Sequence, residues 1–292
     1  MISSILGVVT LVYLVAGLFF VGSALWHSDR LDRAARFLLG CGLAAHLGAF
    51  LGRWAEAYQL ASRHFAPQAL SQTLRLVILH VPLSNFFESL VFFSLGLPAL
   101  GLVFFRRQLQ GFLGALAALF ASLILAYASL AVDSGIKPLM PGLKSNWLLV
   151  HVLTAFLGYA AFALAFGAAL LYLWQGRATA VPSGPMAAAA GAREMDRLIY
   201  RAVVLGFIFL TLGILTGAVW AEQAWGRYWS WDPKETWSLI TWFIYAGLLH
   251  ARLVKGWAGR RIAWLAVLGF LAVLFTYFGV SFLLPGLHSY LT

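Results

Sequence analysis

The chain has 292 residues, of which 62% are hydrophobic and only 10% are charged, and this composition excludes a soluble globular protein. A formal charge of +10 would suggest a nucleic-acid partner in a soluble protein, but here the basic residues cluster between apolar runs, so no nucleic acid is expected. The single cysteine, Cys41, lies within an apolar run, and a lone thiol supports neither an internal disulfide nor a C-x-x-C redox pair.

Eight apolar runs are long enough to cross about 30 Å of hydrocarbon as helices. The first run is longer than a signal-peptide core and lacks a preceding basic segment, so we expect it to be retained as a span. Because backbone groups in lipid must be satisfied within each segment, the sequence predicts an all-α polytopic transmembrane helix bundle, with residues 1–292 as one membrane domain. The predicted spans are Ile2–Leu25, Phe37–Trp54, Asn85–Phe105, Phe112–Val132, Trp147–Trp174, Leu198–Trp220, Thr236–Leu253 and Ile262–Leu284.

The distribution of lysine and arginine predicts the orientation of the bundle. Thirteen of the twenty basic residues fall in the odd-numbered connections, which are therefore expected to be cytoplasmic. Both termini then face the outer side of the membrane. The second connection, residues 55–84, is predicted to be an amphipathic segment on the outer interface. Residues 178–192 are rich in alanine and other small residues and are predicted to be a cytoplasmic linker.

The outer connection between spans six and seven is rich in tryptophan. Residues 220–237 read WAEQAWGRYWSWDPKETW and hold five of the twelve tryptophans. An aromatic belt at the membrane interface is one explanation, although a belt spreads its rings over many helix ends. An aromatic platform for a large planar ligand is the other, and this segment alone leaves both open. Arg227 and Lys234 add cations that could meet ligand carboxylates or lipid headgroups.

The end of this connection has the pattern of a helix start. Asp232 is placed as an N-cap acid, Pro233 as the first helical residue and Glu235 as the third, which predicts a capping box at the start of span seven. Asp232 is therefore interpreted as a cap rather than a catalyst. No catalytic residue is assigned.

Four histidines are candidate metal ligands, because ionisable residues in membrane spans are usually functional. His151 lies in the first turns of span five and His288 just past span eight, so both are predicted at the outer end, as a pair of axial ligands would be. His250 lies in the inner part of span seven, too far along the helix to reach that end. His46, near the middle of span two, is either its partner at a second site or a hydrogen-bonding residue between helices.

The segment WAEQAWGRYWSWDPKETWSLITWFIYAGLLHARL resembles the tryptophan-rich WWD signature of cytochrome c assembly membrane proteins of the CcsA/ResC type, from system II cytochrome c biogenesis. Further resemblance lies in NWLLVHV around His151, HVPLSNFFESL before span three and GLHSY around His288, so it covers most of the chain from His80 onward. The resemblance implies location in the bacterial cytoplasmic membrane or its thylakoid equivalent, with the tryptophan-rich loop outside.

The resemblance also implies a function in haem handling. Haem b would be carried to the outer face and presented for thioether attachment to apocytochrome c with a C-x-x-C-H segment, in a synthetase (haem lyase) complex with a CcsB/ResB-type membrane subunit. His151 and His288 correspond to the outer axial ligands, and His250, with His46 less directly, to a transmembrane haem site. The alternatives are an exporter or chaperone that hands haem to a separate ligase, and a membrane protein without haem. The residues expected to contact haem are Trp225, Arg227, Tyr228, Trp229, Trp231, Asp232 and Trp237.

Overall fold

A computed structural model describes residues 2–65, 67–104, 111–137, 139, 141–175 and 184–288, without the side chains of 141 and 184–190. In these ranges the secondary structure is helical, and the all-α prediction is confirmed. A 3₁₀ turn at Pro141–Leu143 precedes α6, and a π-helical turn at Phe275–Gly279 joins the last two helices. The helices are α1 Ile2–Trp26, α2 Asp29–Phe65, α3 Leu70–Leu79, α4 Phe86–Phe104, α5 Gly111–Ala131, α6 Asn146–Gln175, α7 Gly184–Trp225, α8 Pro233–Leu253, α9 Arg260–Leu274 and α10 Val280–Leu283.

Seven helical segments of the described chain are long and apolar enough to cross a membrane, which identifies an integral membrane protein. They are α1, α2, α4, α5, α6, the part of α7 from Gly191 onward, and the continuous segment Arg260–Leu283. The predicted span Thr236–Leu253 coincides with α8, which has 21 residues, enough to cross the hydrocarbon, but is less apolar. Polar residues such as His250 and Arg252 lower its mean hydropathy.

Two predicted connections are partly helical. Residues 55–65 continue α2, a single helix of 37 residues, and α3 follows it. The Trp54 side chain donates a hydrogen bond from Nε1 to the carbonyl oxygen of Val77 at 2.8 Å, which fixes α3 against α2. In the linker predicted at 178–192, residues 178–183 lie outside the described part, whereas residues 184–192 begin α7. Alanine favours helix in that segment.

Helices α6 and α7 pack with close backbone contact through glycines. A Cβ atom at Gly213 of α7 would lie 3.2 Å from the Ala155 backbone of α6, and one at Gly158 would lie 3.1 Å from the Leu210 nitrogen. Small residues at such interfaces let transmembrane helices approach closely, and Gly213 and Gly217 have the G-x-x-x-G spacing typical of this packing. The contact holds the first turns of α6 against the last turns of α7.

A buried ion pair joins α2 to the start of α4. Arg53 Nε donates to Glu88 Oε1 at 2.9 Å, and both side chains are almost fully buried. The guanidinium also donates to the carbonyl oxygens of Ser134 and Gly135, and the second carboxylate oxygen accepts from Ser84. Both charged side chains therefore have hydrogen-bond partners inside the bundle.

Replacement of Glu88 by leucine should destabilise the protein by about 3–5 kcal/mol, because it leaves the Arg53 charge buried without its partner. Thermal unfolding in detergent measures this loss. Lys137→Met provides the control, since its pair with Asp133 is exposed to solvent and its removal should leave the midpoint unchanged. Equal midpoints for the two variants would contradict the prediction.

Candidate functional site

A cavity lies at the end of the bundle where α6 and α8 begin. Its wall is formed by the starts of α4, α6 and α8, the last turns of α7, the loop before α8, and the π-helical turn. Most of the lining is apolar, with a few polar groups, as in sites that hold large organic ligands. The polar and aromatic groups that matter for its chemistry are His151, Trp220, Tyr228, Trp229, Lys234, Glu235 and His288.

His151 is held against α7 by two contacts. Its Nδ1 lies 2.7 Å from the carbonyl oxygen of Gly213, which can only accept, so Nδ1 carries the proton and Nε2 is left as the basic nitrogen. Its ring stacks on Trp220, with centroids 5.8 Å apart and planes inclined by 11°. Gly217 is required for this position, because a Cβ there would lie 2.6 Å from Nδ1.

His288 is held by a carboxylate. Its Nδ1 lies 2.8 Å from Asp232 Oδ2, and Asp232 also accepts from the backbone N–H groups of Leu287 at 2.6 Å and Lys234 at 3.0 Å. Burial acts to raise the pKa of Asp232, but the His288 bond and these N–H groups outweigh it and hold that pKa below its ordinary value. As with His151, the nitrogen left for a ligand is Nε2.

The two histidines share one aromatic neighbour. The centroid of the Trp220 ring lies 5.8 Å from that of His151 and 5.5 Å from that of His288, while Trp225 contacts both Trp220 and His288. Metal-bound histidines usually donate the second ring N–H to a carbonyl or a carboxylate, and both do so here. Among the described residues no group of three or more His, Cys, Asp or Glu side chains forms a metal cluster. The site therefore offers two imidazole Nε2 atoms rather than a complete set of protein ligands.

The tryptophan-rich segment divides into parts with different positions. Tyr228 and Trp229 line the cavity, and Trp229 packs edge-on to the exposed Trp231 with centroids 5.7 Å apart. Trp231 has a φ of 61°, a left-handed conformation that turns the chain before α8. Trp237 instead packs on Phe275, with centroids 4.2 Å apart. The five tryptophans are therefore not one continuous platform.

The capping box predicted at the start of α8 is confirmed. Asp232 accepts from the Lys234 N–H, and Glu235 Oε2 accepts in return from the Asp232 N–H at 3.1 Å. Glu235 also accepts from the Ser230 N–H at 2.7 Å, so it holds the end of the aromatic loop. Lys234 lines the cavity, whereas Arg227 is exposed.

The two remaining candidate histidines lie apart from this cavity and from each other. His46 on α2 is fully buried, and its Nδ1 lies 3.3 Å from the Tyr13 hydroxyl of α1. His250 is exposed on α8, which packs on α7 and α9, whereas α2 packs on α1, α3, α4 and α5. In the described structure, the two histidines therefore do not form one site. His46 has the interhelical hydrogen bond that the sequence offered as its alternative.

Three features of the site were not predicted from the sequence. They are the stacking of Trp220 on His151, the acceptor role of the Gly213 carbonyl, and the bond from His288 to Asp232. The G-x-x-x-G spacing of Gly213 and Gly217 indicates a close helix contact. The spacing does not show which helix makes that contact; the structure shows that it is α6.

A family model described as "Cytochrome C assembly protein" matches residues 83–288. A cytochrome c biogenesis protein CcsA from Guillardia theta is 40% identical over 231 residues, covering 72% of this chain and 77% of that protein. The CcsA of Gloeobacter violaceus is 39% identical over 265 residues, covering 72% of this chain and 78% of the relative. The CcsA of Chlamydomonas reinhardtii is 43% identical over 217 residues, and the match spans 72% of this chain but 61% of that longer protein.

A solved structure with a similar fold is described as "Cytochrome c Heme Lyase CcmF". It superposes with a TM-score of 0.67 and 20% sequence identity, covering 95% of this chain and 47% of the other. At this identity the likeness shows the fold alone. This chain thus spans about half the length of that structure.

Proposed function

The chain belongs to the cytochrome c assembly protein family, in its CcsA branch, and from this premise we propose that it holds haem between His151 and His288 for attachment to apocytochrome c. One observation carries the proposal. Both histidines line one cavity, each with Nδ1 engaged by a protein acceptor, so that Nε2 is left for iron.

The cavity suits haem as a bound substrate. Its mainly apolar wall, with a few polar groups, matches a large, flat, largely apolar ring system. Tyr228 and Trp229 supply aromatic surface at the wall, and Trp220 backs both imidazoles. Haem b is the form proposed, because the attachment reaction consumes its vinyl groups.

The attachment chemistry asks little of the protein beyond positioning. An apocytochrome thiol adds across a vinyl double bond, so one C–S and one C–H bond form while one S–H bond and one C–C π bond break. The reaction balances without an oxidant or a reductant, provided the thiols arrive reduced. Cys41 is the only cysteine of this chain, so both thiols belong to the C-x-x-C-H substrate. The contribution of the chain is to hold haem with its vinyl groups accessible.

Lys234 is proposed to pair with a haem propionate. It lines the cavity just before the predicted span, and burial lowers the pKa of its ammonium group to about 8, although nearby Asp232 opposes the shift. The ammonium loses its proton as the pH rises through this value, so the attraction to a propionate is present at pH 7 and lost by pH 9.

Haem retention should consequently fall between pH 7 and pH 9 in the wild-type protein. Lys234→Arg should remove this dependence, since a guanidinium stays charged over the whole interval. Haem absorbance after gel filtration at each pH provides the measurement. The same fall in Lys234→Arg would assign the pH dependence to another group.

The proposal also includes a partner and a route. A CcsB/ResB-type membrane subunit would complete the synthetase in the bacterial cytoplasmic membrane or the thylakoid equivalent, with the cavity on the outer side. His250, exposed on α8, would contribute to a second haem site reached first, with the other ligand supplied by the partner subunit. Residues 1–292 are proposed to act as one membrane domain, in which the loop 220–237 contacts haem. Around the cavity, the further residues proposed to contact haem are Trp225, Arg227, Trp231 and Trp237.

The decisive experiment is attachment of haem to an apocytochrome peptide containing C-x-x-C-H by the purified complex with its partner. A covalent haem-peptide product that depends on this chain supports the synthetase. Attachment by the partner alone would favour the second candidate, an exporter that hands haem to a separate ligase. A purified chain with no haem spectrum would exclude both and leave a membrane protein without haem.

A further inference from the structure

The hydrogen bonds of the two histidines are chemically unequal. His151 donates to the carbonyl of Gly213, a neutral group, whereas His288 donates to the carboxylate of Asp232, which carries a full charge. A carboxylate draws the Nδ1 proton more strongly than an amide oxygen does. It therefore leaves more electron density on Nε2, and the ligand it supports is more basic.

Asp232 is built into its position by the surrounding backbone. It is 7% exposed and accepts three hydrogen bonds, from His288 and from the N–H groups of Leu287 and Lys234. Gly286 allows this approach, because a Cβ there would lie 2.5 Å from Asp232 Oδ1. The carboxylate thus joins the start of α8 to the segment that carries His288.

We propose that Asp232 is a positioning residue that fixes the His288 ring and makes it the stronger of the two iron ligands. This inference rests on the proposed function, because it takes the two histidines as ligands. Stronger donation from His288 stabilises the ferric state and so lowers the reduction potential of the bound haem. His151, supported by a neutral carbonyl, is the weaker ligand and the one that an incoming apocytochrome histidine displaces more readily.

The test is Asp232→Asn, which keeps a side-chain acceptor and a residue favoured at the N-cap while removing the charge. The midpoint potential of the haem in the purified full chain should rise relative to wild type, and haem retention should fall roughly 10–100-fold. Asp133→Asn is the matched control. It makes the same replacement at an exposed carboxylate that lines no part of the cavity, so its potential should stay at the wild-type value.

Each outcome of this experiment has a distinct meaning. Equal potentials in wild type and Asp232→Asn, or an equal rise in Asp133→Asn, would overturn the role of Asp232 while leaving haem binding intact. Absence of a bis-histidine spectrum in the wild-type chain would instead overturn the proposed function. If Asp232→Asn does not accumulate, Asp232→Ser keeps an N-cap oxygen that is too short to reach His288, and the same rise in potential is expected.

Discussion

Replacement of both His151 and His288 by glycine should abolish the bis-histidine haem spectrum of the purified protein. Each replacement removes one of the two Nε2 atoms left free by the bonds to Gly213 and Asp232. Loss of hydrogen-bonding support around a metal costs about 10–100-fold in affinity, so loss of a ligand should cost at least as much. Each single variant should lose most of its haem, and the double variant should lose it to background. Absorbance in the haem region relative to protein measures the retained fraction.

Free imidazole separates ligand loss from misfolding in these variants. A glycine leaves room for a small imidazole where the side chain stood, so millimolar imidazole should restore the spectrum of each single variant if the fold is intact. His64→Gly is the control, because His64 is exposed on α2 and lines no part of the cavity. Unchanged haem retention in the double variant would refute the proposal that these two histidines hold the haem.

Gly217→Ala should lower haem retention, although Gly217 itself is not a proposed haem ligand. The added Cβ would lie 2.6 Å from His151 Nδ1 and 2.8 Å from its Cε1, so the ring must move. That movement breaks the 2.7 Å bond to Gly213 and the stacking on Trp220. We expect a loss of about 10–100-fold in affinity, the range seen when the support of a metal ligand is removed.

The stability of the same variant distinguishes a local from a global effect. Alanine is about 1 kcal/mol more favourable than glycine within a helix, so α7 should remain folded. Gly7→Ala on α1 is the matched control, because no atom lies within 4 Å of its added Cβ, and its haem content should equal that of wild type. Full haem retention in Gly217→Ala would contradict the proposal that α7 positions His151. Loss of haem together with a much lower unfolding temperature would contradict it too, because the effect would then be global.

The Gly217→Ala prediction tests packing, whereas the histidine prediction tests ligation. Loss of haem in the double histidine variant with full retention in Gly217→Ala would mean that the His151 ring tolerates displacement. Loss of haem in Gly217→Ala with full retention in the double histidine variant would mean that haem binding depends on the packing of α6 on α7 rather than on the two histidines. Together they separate the ligands from the helix contact that holds one of them.

The sequence alone established the environment and much of the candidate chemistry. Because a lipid-exposed backbone must satisfy its own hydrogen bonds, apolar runs of twenty residues predict helices without reference to any tertiary contact. The helix start at Asp232 was predictable for a similar reason, since a capping box involves residues only three positions apart. The count of spans predicted that His151 and His288 lie at the same end of the bundle. Both line one cavity, which agrees with that prediction.

Tertiary structure alone decided what each of these residues touches. The sequence shows that Asp232 caps a helix, but not that it also binds His288, 56 positions away. It shows five clustered tryptophans, but not that Trp220 stacks on His151 while Trp237 packs on Phe275. Helix formation depends on neighbours within one turn, so it can be read locally. The direction of a side chain across a helix interface depends on the rotation and separation of both helices, and these are fixed only by the packing of the whole bundle.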